Sequence, residues 1–270
     1  MRILIIGSTG FIGTNLALAA AAQNIEVIAL SRSGLSQRGV DQVHAWSFGQ
    51  VVPESAYKGI NCAIYLAHDF DGQEGANLTI ESTLAIASQL EIAGIPRQLF
   101  FSSYSAGKHA SSIYGRTKFL IEEAFSTRPE ISIIRPGLVL GDGGLYGRIC
   151  KWAKILPLIP LPDGGKGKVP IIDVKKLCDL TLKLAFDQVI PSEVNLFEHE
   201  LKNLRDLVLE AATETHHPWI LSVPSAWLIR LLLLAKQLHI PLPVNADNLV
   251  GFIANQSAEH LSTLKRFKND

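Results

Sequence analysis

The chain has 270 residues, of which 47% are hydrophobic, and its 25 basic residues balance its 25 acidic ones. This is enough apolar sequence for one large α/β domain, or for a core domain with a smaller lobe, and the zero net charge argues against a polyanionic partner such as nucleic acid. Three widely spaced cysteines, Cys62, Cys150 and Cys178, match neither a disulfide framework nor a metal site, which favours a reducing cytoplasmic setting.

In chain order, the first half alternates short apolar runs with longer helical patterns. Strands are predicted at residues 3–6, 26–30, 43–46, 62–66, 98–101 and 131–134, and helices at 11–22, 76–93 and 113–125. Continuous apolar strands joined through helices are typical of a parallel sheet covered on both faces. The sequence therefore predicts an α/β fold of the doubly wound, Rossmann type, whose ligands bind at the C-terminal ends of the strands.

After residue 140 this alternation is lost, and proline and glycine cluster between residues 157 and 170. Helices are predicted at 174–186, 204–213, 226–238 and 246–253. We expect residues 1–140 to form the Rossmann core, and residues 141–270 to hold the last sheet strands and a small, partly helical substrate lobe. The apolar stretch 219–238 is interrupted by Pro224 and Arg230, so no transmembrane helix is expected.

A glycine-rich loop follows the first predicted strand and opens the first predicted helix. Its sequence, Gly7-Ser8-Thr9-Gly10-Phe11-Ile12-Gly13, has the spacing G-x-x-G-x-x-G, a variant of the dinucleotide fingerprint. Such glycines permit a tight turn, a close approach to a pyrophosphate and close packing of the helix on the sheet, while the helix N-terminus attracts the phosphates. We expect the following residues of the loop to contact a dinucleotide: Gly7, Thr9, Gly10, Phe11, Ile12 and Gly13.

The end of the second strand is where a carboxylate would bind the adenosine ribose of NAD. The segment Ser31-Arg32-Ser33 offers no carboxylate there. Arg32 is suited to a 2′-phosphate, with the hydroxyls of Ser31 and Ser33 assisting. The sequence thus favours NADP(H) over NAD.

A Y-x-x-x-K motif, Tyr114 to Lys118, lies on a predicted helix that follows the strand ending at Ser102-Ser103. The i,i+4 spacing places both side chains on one helix face. A tyrosine is a poor base at neutral pH, but a nearby ammonium favours its phenolate. Tyr114 is therefore the candidate for exchanging a proton with a substrate hydroxyl or carbonyl, and Lys118 for tuning it and binding the nicotinamide ribose.

With these motifs in order, the chain resembles the extended or atypical branch of the short-chain dehydrogenase/reductase superfamily, the NAD(P)-dependent epimerase/dehydratase-like group. The matching segments cover roughly the first two-thirds of the chain: GSTGFIG at 7–13, YLAH at 65–68, Asn77, FFSS at 100–103, YGRTK at 114–118, IIRPGLVLG at 133–141 and PIIDV at 170–174. The resemblance implies a Ser–Tyr–Lys catalytic set. It also implies that further residues line the cofactor: Leu66, Ala67, Asn77, Pro136, Gly137 and Val139. His68, after the fourth strand, is a further candidate for the cofactor cleft or else an ordinary loop histidine.

The catalytic serine is the least defined member of this set. Ser102, Ser103 and Ser105 are all candidates, and Ser103 is preferred. The pair Tyr104-Ser105 stands where 4,6-dehydratases of the family carry Asp-Glu, which argues against that reaction.

The function expected from the sequence is an NADP(H)-dependent interconversion of a ketone and a secondary alcohol, with a nucleotide-activated sugar as the small-molecule substrate. Arg32 favours net reduction over epimerisation. The alternatives are an NAD-dependent nucleotide-sugar epimerase and a non-catalytic NADP(H)-binding sensor or assembly factor. A homodimer through the helices predicted at 76–93 and 113–125 is also expected from the resemblance.

Overall fold

The computed structural model describes residues 1–189, 191–198, 201–212, 217–237 and 253. The helices are α1 Phe11–Ala22, α2 Glu54–Tyr57, α3 Gly72–Ile92, α4 Ile113–Phe125, α5 Gly144–Ile155, α6 Val174–Phe186, α7 Leu204–Ala211 and α8 Ser225–Gln237. The strands are β1 Arg2–Ile6, β2 Glu26–Ser31, β3 Gln42–Ala45, β4 Cys62–Tyr65, β5 Gln98–Phe101, β6 Ile131–Pro136, β7 Leu138–Leu140, β8 Leu158–Pro162, β9 Lys168–Val169, β10 Ile171–Asp173, β11 Glu193–Leu196, β12 Lys202–Asn203 and β13 Trp219–Val223.

The main sheet has seven strands in the order β11-β6-β5-β4-β1-β2-β3. Neighbouring strands from β3 to β6 all pair in parallel. The chain moves outward from β1 to β3, then returns to place β4 on the other side of β1. This reversal is the topological switch point at which doubly wound sheets bind ligands, and it confirms the predicted fold class.

Except at its edges, β3 and β11, the strands of this sheet are buried because their apolar side chains pack under helices. The side chains of Leu4, Ile28 and Phe100 belong to one buried cluster with the α4 residues Ile121 and Phe125. The cluster also encloses a polar pair, in which the Tyr65 hydroxyl hydrogen-bonds to Oε1 of Gln98. Burial on both sides explains why these strands read as continuous apolar runs in the sequence.

Two compact units can be distinguished. The first contains residues 1–103, 117–135 and 174–194, and the second contains residues 104–116, 136–173 and the described residues from 195 onward. The second unit holds three two-stranded sheets, in which β7 pairs with β10, β9 with β12, and β8 with β13. Since the chain passes repeatedly between the units, the predicted domain boundary after residue 140 stays a prediction.

The elements predicted in the first half lie close to the bounds in the structure, with one notable exception, whereas the short elements α2 and β7 were not predicted. Helix α3 begins at Gly72 instead of residue 76, after Asp71. The second half was predicted less well, because α5 and the strand β8, which contains Pro160 and Pro162, were missed. Strand β8 tolerates prolines since, among the described residues, it pairs with β13 alone. The helix predicted at 246–253 lies outside the described residues, apart from Ile253.

No helix within the described ranges is both long and apolar enough to cross a bilayer.

Candidate active site

Two glycines of the loop after β1 lie directly against neighbouring backbone atoms, which leaves no room for a side chain. Gly7 has a φ of +97°, and a Cβ there would lie 2.6 Å from the backbone nitrogen of Ala67. At Gly13, a Cβ would lie 2.8 Å from Cα of Ser8. Both positions therefore require glycine for the fold itself, whether or not a ligand is bound.

Gly10 differs from the other two glycines. Its φ and ψ of −73° and 168° suit any residue, and a Cβ at this position would have the carbonyl oxygen of Gly7 as its nearest atom, at 3.5 Å. Gly10 is also the N-cap of α1, so no side chain caps this helix terminus and its first turn carries no acidic residue. An exposed glycine above uncapped backbone N–H groups is the arrangement that a pyrophosphate needs, so the loop fits a dinucleotide.

The end of β2 presents the three residues that the sequence predicts at the adenosine ribose. Ser31 is buried, and its Oγ accepts a hydrogen bond of 3.3 Å from the Gly34 backbone. Ser33 Oγ accepts one from the Leu35 backbone at 3.3 Å. Arg32 is exposed, and within the described part of the chain it forms no ion pair. Its guanidinium is thus available to a phosphate, whereas both hydroxyls already support the local turn.

The segment after β4 lies beside the glycine loop. The backbone nitrogens of Leu66 and Ala67 both donate to the carbonyl of Ile6 at 2.9 Å, which explains why Gly7 tolerates no side chain. His68 follows, and its ring packs edge-on against Phe70 with centroids 4.6 Å apart. Burial and then the positive charge of Lys118 lower the pKa of His68 to about 3, so its imidazole is neutral at physiological pH.

Lys118 is buried, and its position is well defined. Its Nζ donates a hydrogen bond of 2.7 Å to the backbone oxygen of Phe101, the last residue of β5, and lies 4.7 Å from the centroid of the Phe100 ring. Burial lowers the pKa of Lys118 to about 7, although the charge of Glu122 raises it. This ammonium is therefore anchored at a strand end and able to lose its proton near neutrality.

Tyr114 lies in the first turn of α4, one turn before Lys118, as the Y-x-x-x-K spacing predicted. It is half-buried. Between them, Gly115 has to be a glycine for packing, since a Cβ there would lie 2.9 Å from both the Ala110 Cβ and the Ser112 Oγ. The motif therefore combines a chemical pair with a glycine that the preceding loop requires.

The three candidate serines differ in their surroundings. Ser102 and Ser105 are buried, and Ser103 is half-buried. The hydroxyl of Ser102 has no hydrogen-bond partner among the described residues, although it is buried. Ser103, preferred from the sequence, stays a prediction.

The remaining predicted contacts fall in two places. Asn77 is exposed in the second turn of α3, where its Oδ1 accepts a hydrogen bond of 2.9 Å from Gln73. Pro136, Gly137 and Val139 lie in the second unit. A Cβ at Gly137 would lie 2.6 Å from the carbonyl oxygen of Pro170, so the absence of a side chain there allows β7 to pair with β10.

Sequence reasoning missed one charged network beside Lys118. Glu122, one turn further along α4, is buried, and Arg135 donates to both of its carboxylate oxygens, at 2.7 and 2.6 Å. Arg135 also donates to Glu193 at 2.9 Å. An acidic residue four positions after the lysine was the available signal, because this spacing places both on one helix face.

Comparison with known proteins also finds similarity to an NAD dependent family and to nucleotide-sugar enzymes. Residues 3–132 match the model of the NAD dependent epimerase/dehydratase family. A UDP-glucose 4-epimerase of Vibrio cholerae is 24% identical over 259 residues, covering 82% of this chain and 78% of that protein.

Two solved structures resemble the whole fold. One is a nucleoside-diphosphate-sugar epimerase from Staphylococcus aureus, with a TM-score of 0.72, 14% identity, and coverage of 100% of this chain and 96% of that one. The other is an NAD dependent NDP-hexosamine 5,6-dehydratase involved in tunicamycin biosynthesis, with a TM-score of 0.70, 18% identity, and coverage of 96% and 98%. Residues 3–132 thus match the NAD dependent epimerase/dehydratase family, and the two solved structures share the fold of this chain.

Proposed function

We propose that the protein is a nucleotide-sugar epimerase that keeps its dinucleotide bound through the reaction. The observation that carries the proposal is the anchored, buried Lys118 one helical turn after Tyr114. This pair suits the oxidation of a secondary alcohol and the reduction of the resulting ketone. The match to a UDP-glucose 4-epimerase over 82% of the chain supports a redox-neutral reaction over the net reduction that Arg32 suggested.

The dinucleotide would be held by groups of the first unit. The uncapped N-terminus of α1 and the space above Gly10 would receive the pyrophosphate. Leu66, Ala67 and His68 would line the cofactor beside the loop, and the neutral His68 ring adds no second positive charge beside Lys118. When bound, the nicotinamide supplies the hydride acceptor and then the hydride donor.

The proton is handled by the chain itself. In the oxidation, the phenolate of Tyr114 accepts the proton of the substrate hydroxyl, and in the reduction Tyr114 returns a proton to the ketone oxygen. The ammonium of Lys118 stabilises that phenolate, since an opposite charge nearby lowers the pKa of a tyrosine. A serine hydroxyl among Ser102, Ser103 and Ser105 would orient the reacting oxygen. The two half-reactions cancel, so no external oxidant or reductant is consumed.

Two measurements test the epimerase. The first is identification of any dinucleotide released from the purified protein on denaturation, and we expect NAD. The second is incubation with UDP-hexoses without added cofactor, followed by NMR of the sugar configuration. We expect Tyr114→Phe to slow turnover by roughly 10²–10⁴-fold, whereas Tyr57→Phe, on the short helix α2, should leave it unchanged. Equal turnover in the Tyr114→Phe protein would refute the proposed chemistry.

A second candidate is an NADP(H)-dependent reductase, which one observation favours. Arg32 is exposed at the end of β2, and the segment Ser31-Arg32-Ser33 contains no aspartate or glutamate that could bind the ribose of NAD. Titration of the protein, freed of cofactor, with NADPH and NADH distinguishes the two functions. NADPH preference that is lost in Arg32→Ala would favour the reductase, and NADH preference with no effect of that change would favour the epimerase.

A further inference from the structure

The second unit carries an exposed apolar surface on the strands β8 and β13, which are distant along the chain from the candidate active-site residues. Strand β13 pairs with β8 so that Trp219 lies opposite Leu158 and Leu221 opposite Pro160. Alternate residues of a strand share one face, and these four residues form what we call the ribbon face. Trp219 is 79% exposed, and Leu158 and Leu221 are each 47% exposed. The opposite face of β8 is buried through Ile159 and Leu161.

The end of α5 leads directly into this ribbon. Ile155, the last residue of the helix, is 72% exposed, and the backbone nitrogen of Trp219 donates to the carbonyl of Pro157 at 2.8 Å. Lys151 and Lys154 are both exposed near the end of α5. Lys151 precedes Ile155 by four residues, so both lie on one side of the helix. Basic side chains thus flank the exposed apolar residues.

Helix α8, which follows β13, exposes a second apolar stripe. Trp227, Leu231 and Leu234 are 62%, 55% and 51% exposed, at the spacing i, i+4 and i+7. Leu228 and Leu232 on its other side are buried. A helix that is apolar on both sides normally has both of them covered, so this stripe indicates a surface that meets an apolar partner.

The charges of these four elements are all of one sign. Although the whole chain is neutral, α5, β8, β13 and α8 contain no aspartate or glutamate. The basic residues among their described side chains are Arg148, Lys151, Lys154 and Arg230. An isologous dimer through this surface would bring the basic groups of two copies together. An anionic partner matches them instead.

We propose that the ribbon face, with the end of α5 and the exposed stripe of α8, binds the surface of an anionic lipid bilayer. Tryptophan side chains are favoured at the boundary between headgroups and acyl chains, where an apolar ring meets a polar environment. Lysines beside them pair with anionic headgroups while their alkyl stems lie on the apolar surface. The attachment is peripheral, with exposed side chains entering the interface and the fold remaining outside it.

The test is co-sedimentation of the full chain with phosphatidylcholine vesicles that contain or lack phosphatidylglycerol. We expect binding to the anionic vesicles, a blue shift of tryptophan fluorescence, and weak binding to the neutral ones. Replacing Trp219 by Ser should lower the partition coefficient about tenfold. The double change Lys151→Glu and Lys154→Glu should lower it about 30-fold or more. All of these positions are exposed, and thermal denaturation checks that each variant is folded.

Matched controls separate this surface from general stickiness and from net charge. Ile92→Ser removes a side chain that is 90% exposed on α3 in the first unit, and Lys58→Glu with Lys108→Glu changes the net charge equally. Both should bind as the wild type does. Absence of vesicle binding, equal binding to neutral vesicles, or unchanged binding by Trp219→Ser would overturn the proposal. Dimerisation in lipid-free buffer that Trp219→Ser abolishes would do the same, because the surface would then belong to a second copy.

Discussion

Arg135 holds Glu122 by both carboxylate oxygens, with Nε at 2.7 Å and Nη2 at 2.6 Å. The pair is partly closed to solvent, since the side chains are 19% and 4% exposed. Glu122 also raises the pKa of Lys118 against the effect of burial, which lowers it to about 7. The Arg135 guanidinium therefore fixes the carboxylate that sets the charge of the proposed catalytic lysine.

Replacing Glu122 by Gln removes that charge while keeping the shape of the side chain. We expect the pKa of Lys118 to fall below its wild-type value, and the free energy of unfolding to fall by roughly 3 kcal/mol, because Arg135 loses a buried partner. Carbon NMR of labelled lysine, assigned with Lys118→Met, measures the pKa. Glu123→Gln, on the exposed face of the same helix, is the control. An unchanged pKa in the Glu122→Gln protein would contradict the role given to this carboxylate.

Gly13 and Gly10 of the cofactor loop should respond differently to alanine. At Gly13 a Cβ would lie 2.8 Å from Cα of Ser8, so Gly13→Ala should lower the free energy of unfolding by roughly 1–3 kcal/mol. At Gly10 the nearest atom is 3.5 Å away, so Gly10→Ala should change stability by less than about 0.5 kcal/mol.

The same Gly10→Ala change should weaken dinucleotide binding about tenfold or more, since it places a methyl group where a phosphate is expected. Thermal denaturation and calorimetric titration with NAD(H) and NADP(H) give both quantities. If Gly10→Ala bound dinucleotides as well as the wild type, the space above α1 would not be the phosphate site.

His68 should contribute to the loss of stability in acid. Burial and the charge of Lys118 lower its pKa in the folded protein from 6.5 to about 3, so between these values the unfolded chain binds more protons. Stability present above pH 6.5 is therefore lost as the pH falls toward 3. We expect His68→Gln to show a smaller decrease in Tm between pH 7 and pH 4 than the wild type. His109→Gln, at an exposed position, should behave as the wild type does, and an equal decrease in all three proteins would exclude a buried neutral His68.

The Tyr65–Gln98 pair should matter for stability alone. The Tyr65 hydroxyl bonds to Oε1 of Gln98, whose Nε2 donates to the Ala87 carbonyl at 3.3 Å, all within the buried core. Tyr65→Phe leaves Gln98 with an unsatisfied oxygen and should cost roughly 1–3 kcal/mol of unfolding free energy. Denaturant titration measures this loss, with Tyr57→Phe as the comparison. Dinucleotide affinity should be unchanged, and a large decrease would mean that the pair also shapes the cofactor loop.

Elements of the first half could be located from the sequence because their signals are local. Apolar runs predicted β1, β4 and β5, and the spacing from Gly7 to Gly13 placed the turn that opens α1. The Y-x-x-x-K spacing was enough to put Tyr114 and Lys118 one turn apart, because a helix has a fixed period. In the second half these signals fail, since Pro160 and Pro162 lie inside β8 and its partner β13 follows more than fifty residues later.

Only the tertiary structure showed which side chains shift the pKa values of Lys118 and His68, because residues distant along the chain contribute to them. The pKa of Lys118 depends on burial and on Glu122, and that of His68 on burial and on Lys118, fifty positions later. Glu122 in turn depends on Arg135, which β6 supplies. Local patterns carry no information about which side chains folding removes from water or brings within a few ångströms of one another. The sequence by itself thus determined the fold class and predicted the Tyr114/Lys118 pair, whereas packing determined the burial that lowers the pKa of Lys118.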